Sequence, residues 1–138
     1  MAEHIIPMSY SYSKFLLYSS FAIGISSAIA YYMNDLYVTV YLFFLFLTSI
    51  NYWRKADYGL RRNIDLLAVF MCSYYTILNM FLLKNECHRV CLFFIFFCMN
   101  IFFLVENILY YFNKPQWIIF HMAMHMYVSF GACIIIFD

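Results

Sequence analysis

Charge is scarce in this chain. Asp, Glu, Lys and Arg make up 11% of its 138 residues, against about a quarter in an ordinary globular domain. So few charged side chains cannot cover the surface of a soluble domain of this length. Glycine and proline are scarce too, at 3 and 2 residues, which excludes a collagen-like repeat and a proline-rich linker. The 17 Phe and 14 Tyr exclude a disordered chain, which cannot carry that much apolar surface unburied. A net charge of +1 with His neutral gives no electrostatic basis for nucleic acid binding. Met1-Ala2-Glu3-His4 is not a basic leader, and neither end carries a lipidation box, so an uncleaved, unlipidated chain is expected. The 5 cysteines (Cys72, Cys87, Cys91, Cys98 and Cys133) are odd in number and match no zinc or disulfide framework. Cys87-x-x-x-Cys91 with His88 between them has the look of a metal clip, but a second ligand pair is missing nearby. Free, packing cysteines are expected instead.

What the chain does have is apolar length: 67% of its residues are hydrophobic. A membrane-spanning helix needs about 20 mostly apolar residues. Five stretches qualify: Phe15–Met33, Leu36–Trp53, Ile64–Leu83, Val90–Phe112 and Trp117–Phe137. Short connectors with charges or breakers such as Pro115 separate them. The second and fourth stretches are rich in residues that also suit strands, but an unclosed sheet in lipid leaves backbone groups unpaired. The expected fold is therefore all-α, a polytopic membrane bundle of about five helices forming one domain over residues 1–138, with residues 1–14 as a short lead. Lys14, Arg54, Lys55, Arg61, Arg62 and Lys114 fall on one side of such a bundle, and Lys84 and Arg89 on the other. The positive-inside rule then predicts a cytoplasmic N-terminus and a lumenal or extracellular C-terminus. Tyr31, Tyr32, Trp53, Tyr110, Tyr111 and Trp117 sit at segment ends, as interfacial anchors do.

Ionisable groups inside a bilayer cost on the order of 2.5–3.5 kcal/mol each on insertion scales, so each needs a reason. The candidates are Ser49, Asp65, Glu106, Asn107, His121 and His125, with Asn79 and Asn100 as uncharged polar residues. At about 1.5 Å per residue, Ser49, Asp65, Glu106, His121 and His125 all fall in the same, cytoplasmic half. His121 and His125 are four residues apart, hence on one helix face, where two imidazoles can hold one metal ion. Equally, the two rings can hydrogen-bond neighbouring helices through Asn107 or Ser49. Asp65 reads as a site carboxylate or as a helix-start acid. Glu106 reads as a further metal ligand, a general base, or a hydrogen-bonding acid. Asp57 and the arginines near it read as a solvated loop, and Met122, Met124 and Met126 as packing.

Ser49-Ile-Asn-Tyr-Trp53, Asp65-Leu-Leu-Ala and His121-Met-Ala-Met-His125 together resemble a shortened CREST superfamily pattern. That superfamily groups alkaline ceramidases, progestin and adipoQ receptors, haemolysin III relatives and the myomaker group. Its pattern is a Ser with a His four residues on, an Asp opening the next span, and His-x-x-x-His in the last. The resemblance implies His121 and His125 as zinc ligands, with Asp65 acting through the metal-bound water and Ser49 beside it. It implies a metal-dependent hydrolase of lipid amides or esters, with a lipid as substrate. Two departures stand against the pattern. Trp53 occupies the first zinc-ligand position, and indole has no lone pair to offer a metal. The chain also has five spans where the superfamily has seven. A third ligand then falls to Asp65, Glu106 or Asp57, and the site is expected to be degenerate. The alternative is a non-enzymatic structural, remodelling or interaction protein. Gly24, Ser26, Ser27, Ala28 and Ala30 offer a close-packing face to a membrane-protein partner. A channel or transporter is disfavoured, because the spans lack paired charges, acidic rings and Gly/Pro-broken helices.

Overall fold

The computed structural model describes residues 10–56 and 59–138; Asp57, weighed above as a loop acid or ligand, and residues 1–9 of the lead lie outside the described residues. Five helices follow one another: α1 (Tyr10–Tyr32), α2 (Leu36–Trp53), α3 (Leu60–Leu82), α4 (Glu86–Tyr111) and α5 (Trp117–Ile136). All five are long and apolar enough to cross a membrane. The chain is thus an all-helical bundle of membrane-spanning type.

The helix ends follow from local chemistry. Asn34 and Asn113 both adopt the left-handed conformation, with φ of 61° and 53°. After α1, Asn34 N–H donates to Tyr31 C=O and Asp35 N–H to Ala30 C=O. After α4, Asn113 N–H donates to Tyr110 C=O and Lys114 N–H to Leu109 C=O. These are two Schellman closures, in which Asn replaces the usual glycine. Asp35 then caps α2 by accepting from Val38 N–H at 3.1 Å. Asn85 caps α4 by accepting from Cys87 and His88 N–H. That cap draws Glu86–Arg89 into the helix, so α4 starts four residues before the expected Val90. Likewise α3 starts at Leu60 behind Gly59, four residues before Ile64, because no breaker stands between them.

The seams are heptad-like. On α1, Ser13, Leu16, Ser20, Ile23, Ser27 and Ala30 are buried, and on α2 Val38, Leu42, Leu45, Ser49 and Tyr52. Both sets alternate steps of three and four, the spacing of left-handed helix packing. Gly24 permits the close approach: a Cβ there meets the Phe46 ring at 2.9 Å. Ser27 Oγ crosses to donate to Thr39 C=O at 2.9 Å. The small-residue face of α1 is therefore occupied within the chain: Ser26, Ser27 and Ala30 are buried, and only Ala28 among those named above is exposed. The helices pack in the order α3, α2, α1, α5, α4, and α3 and α4 scarcely touch. The ring is thus nearly open on that side, and the cavity described next lies against it.

Candidate functional site

A cavity of about 240 Å³ runs along the inside of the bundle. Ser49 and Trp53 from α2, Asp65 from α3, Glu106 from α4, and His121 and His125 from α5 all line it. The sequence-derived candidates thus converge, and Asn107 lines the same cavity. Much of the remaining wall is apolar: Leu45, Leu66, Val69, Phe96, Met99 and Phe103.

The depth of each group follows from its helix. Ser49 lies four residues before the end of α2, roughly 6 Å in. Asp65 lies five residues inside α3, not at its opening, because the helix begins at Leu60. It is 6% exposed, so the helix-start reading loses its basis: the carboxylate is inside the protein. Ser49 Oγ donates to Asp65 Oδ1 at 3.1 Å. The Thr48 hydroxyl lies against the same carboxylate, and itself donates to Leu45 C=O at 2.9 Å. His121 is near enough to Asp65 for the two to interact electrostatically.

The two imidazoles stand edge to face, with centroids 4.9 Å apart and planes at 81°. Each is held through Nδ1, but by a different neighbour. His121 Nδ1 meets Glu106 Oε1 at 2.8 Å, from α4. His125 Nδ1 meets Ser19 Oγ at 2.7 Å, from α1. The partners expected from sequence, Asn107 and Ser49, are engaged elsewhere. Asn107 Nδ2 donates to Phe103 C=O in its own helix at 2.6 Å, and Ser49 serves Asp65. Asn79 and Asn100 likewise donate to carbonyls one turn back, which satisfies an amide without a partner helix.

Trp53 walls the site. Its ring lies 4.9 Å from that of His121 at 75°, and Trp117 lies 6.4 Å from His121 at 84°. Trp53, at the position that the resemblance assigns to a zinc-ligand His, packs against His121. Trp53 Nε1 and Glu106 Oε2 are buried and have no hydrogen-bond partner among the described residues. Such orphaned atoms are uncommon and mark places where a bound group or water completes the bonding.

A zinc ion is the group the resemblance implies. Both Nδ1 atoms are engaged, so each ring keeps Nε2 for the cavity, and a carboxylate behind a histidine is a familiar support for a metal-bound imidazole. The donor chemistry fits a holder of two imidazoles. Among the described residues no three His, Cys, Asp or Glu side chains gather as a ligand set, so the two imidazoles are the donors that would hold the metal.

Ser19 escaped the sequence reading. A serine in an apolar helix is not costly, because it bonds its own backbone, as Ser19 Oγ does with Leu16 C=O at 3.0 Å. The signal was positional: Ser13, Ser20 and Ser27 recur every seven residues, as do Ser19 and Ser26, marking the helix face that turns inward. At the other end of the bundle, His88 Nδ1 meets Asp138 Oδ1 at 3.0 Å, so it is engaged away from the Cys87/Cys91 pair. All five cysteines are free.

No protein-family model, curated protein or solved structure matches the chain.

Proposed function

We propose that this chain is a membrane-embedded hydrolase of CREST-like descent, which holds zinc on His121 and His125 and cleaves an amide or ester bond of a lipid. One observation carries the proposal: hydrophilic side chains from four helices line a single cavity. When bound, zinc lowers the pKa of its water toward about 7 and supplies hydroxide for attack on a carbonyl. The chain's own residues do the rest. Ser49 holds Asp65 through Oδ1, and the carboxylate orients the attacking water and takes its proton. Glu106 holds His121 from behind. The apolar wall formed by Leu66, Val69, Phe96 and Met99 suits a hydrocarbon chain, and the loose α3–α4 side gives it a route from the bilayer. By the positive-inside rule the site belongs to the cytoplasmic leaflet.

Metal analysis of the purified protein in nanodiscs tests this. Zinc is expected in the wild type and absent from a His121→Ala/His125→Ala double variant; a zinc-free wild type, or equal zinc in both, overturns it. Trp53→His, beside His121, is expected to raise occupancy. Hydrolysis of a long-chain N-acyl amide by the zinc-loaded protein is expected to fall at least 100-fold in Asp65→Asn, the scale of general base loss.

Trp53 itself favours a second reading, a non-enzymatic bundle in which the indole fills the third ligand position and the polar cluster serves packing or partner binding. Full biological activity after alanine replacement of Asp65, His121 and His125 selects it.

A further inference from the structure

We infer that Ser19 is a positioning residue for His125, fixing the proton on Nδ1 so that Nε2 faces the cavity as an acceptor or ligand. Three observations combine. Ser19 Oγ lies 2.7 Å from His125 Nδ1. The same Oγ lies 3.0 Å from Leu16 C=O, to which it can only donate. A hydroxyl has one proton. With that proton directed at the carbonyl, Ser19 offers His125 a lone pair, and Nδ1 must be the donor. Nε2 then carries no proton. His125 lines the cavity, whereas Ser19 does not, so Ser19 acts through the imidazole and never meets a substrate.

Glu106 imposes the same order on His121. A carboxylate accepts, so the 2.8 Å contact makes His121 Nδ1 the donor. The two histidines, one turn apart on α5, are thereby set alike by opposite neighbours, α1 and α4. Both present Nε2 as a lone pair, the form a metal-binding pair requires. Ser20, the adjacent serine, provides the internal contrast. It donates to the same Leu16 carbonyl at 2.9 Å and is equally buried, yet it has no imidazole at its oxygen.

The role of Ser19 rests on the histidine-pair function proposed above only for its purpose; the tautomer can be read in the metal-free protein. Histidine-labelled protein in nanodiscs, examined by nitrogen NMR, should show His125 as a single tautomer protonated at Nδ1. Ser19→Ala should give a mixture or the opposite tautomer, Ser19→Thr should restore the wild-type pattern, and Ser20→Ala should leave it unchanged. His125 protonated at Nε2 in the wild type, or a Ser19→Ala spectrum identical to wild type, overturns the inference. A second measurement uses cobalt(II) alone as the probe. Ser19→Ala should weaken its binding 10- to 100-fold, the usual effect of losing a partner behind a ligand, while Ser19→Thr and Ser20→Ala stay within twofold of wild type. A wild type that binds no cobalt or zinc defeats the proposed function and leaves the tautomer result standing. Cobalt binding that is equal in wild type and Ser19→Ala defeats the positioning role alone.

Discussion

α1 and α4 flank α5 on opposite sides, and each sends one side chain to one of its histidines. In other respects they are opposites. α1 buries serines at 13, 19, 20, 26 and 27 and turns Tyr18, Phe21, Ile25 and Tyr31 outward. α4, whose most apolar stretch of 18 residues has a mean hydropathy of 2.2, the highest such value among the five helices, buries Leu92 alone. Phe93, Phe94, Phe97, Phe103 and Leu104 all face out. A soluble protein reverses this pattern, because water rewards burial of the apolar face. Lipid gives no such reward, and helices associate where small side chains allow backbones to approach and where hydroxyls can be shared. Between α1 and α4, the difference in burial thus follows size and hydrogen bonding, not hydrophobicity.

The α1–α2 seam is most sensitive at Gly24. The Phe46 ring already occupies the space of a Cβ, at 2.9 Å. Gly24→Leu is expected to cost about 3 kcal/mol by overpacking the α1–α2 seam, measured by unfolding in mixed micelles. Phe46→Ala in the same chain should recover most of it, since the three atoms nearest to that Cβ all belong to the ring. A Gly24→Leu protein of unchanged stability shows that the seam is not close-packed.

Leu92 sharpens the contrast from the other helix. It lies fully buried in a cluster with Met80 and Leu83, and its Cδ1 is 3.3 Å from where a Cβ on Gly131 would stand. Leu92→Ala is expected to cost about 2 kcal/mol, the low end for a core leucine, because in lipid the contact loss remains while the transfer gain from water is absent. Phe93→Ala, next in sequence and 64% exposed, is expected to stay within about 0.5 kcal/mol. Equal losses at the two positions remove the distinction between a packed and a lipid-facing side of α4.

The same physics decides what was legible in the sequence. Five spans were, since apolar length in lipid admits helices and little else. The second span was delimited to the residue, Leu36–Trp53, because Asp35 caps one end and Arg54–Lys55 close the other. The starts of α1, α3 and α4 were not: α1 begins at Tyr10, inside the expected lead and five residues before Phe15, because Lys14, Arg61, Arg62, Glu86 and Arg89 look like residues outside a span although nothing in their backbone chemistry stops a helix. Within the site, costly groups announced themselves: Asp65, Glu106, His121 and His125 have no cheap place in a bilayer. Ser19 carries no such cost, and its contact is 106 residues away in sequence. Which hydroxyl meets which imidazole depends on helix rotation, and that is set by the Ser/Leu/Ile/Ala seam of α1, not by any ionisable residue.

The smallest expected effect is local and concerns how α4 is held, given that α3 hardly touches it. Asp138, after α5, accepts from Lys84 N–H at 2.8 Å and Asn85 N–H at 3.1 Å, and meets His88 Nδ1 at 3.0 Å. The end of α5 thereby clasps the α3–α4 connector. The Lys84 amide, then that of Asn85 and the His88 ring, hold the Asp138 carboxyl below its ordinary value of 3.8. A carboxyl whose folded value is depressed stabilises the clasp fully above the unfolded value and loses that contribution as pH falls through the folded one. Amide hydrogen exchange at Lys84 and Asn85 should therefore be slowed near neutral pH, with protection shrinking below about pH 3.8. Asp138→Ala should exchange several-fold faster at both amides at neutral pH, and its protection should not change across the acidic range. The histidine tautomers at the far end of α5 should be untouched, because the clasp braces only the side of α4 that packing leaves loose. Equal exchange in wild type and variant would show that the Asn85 cap holds the connector unaided.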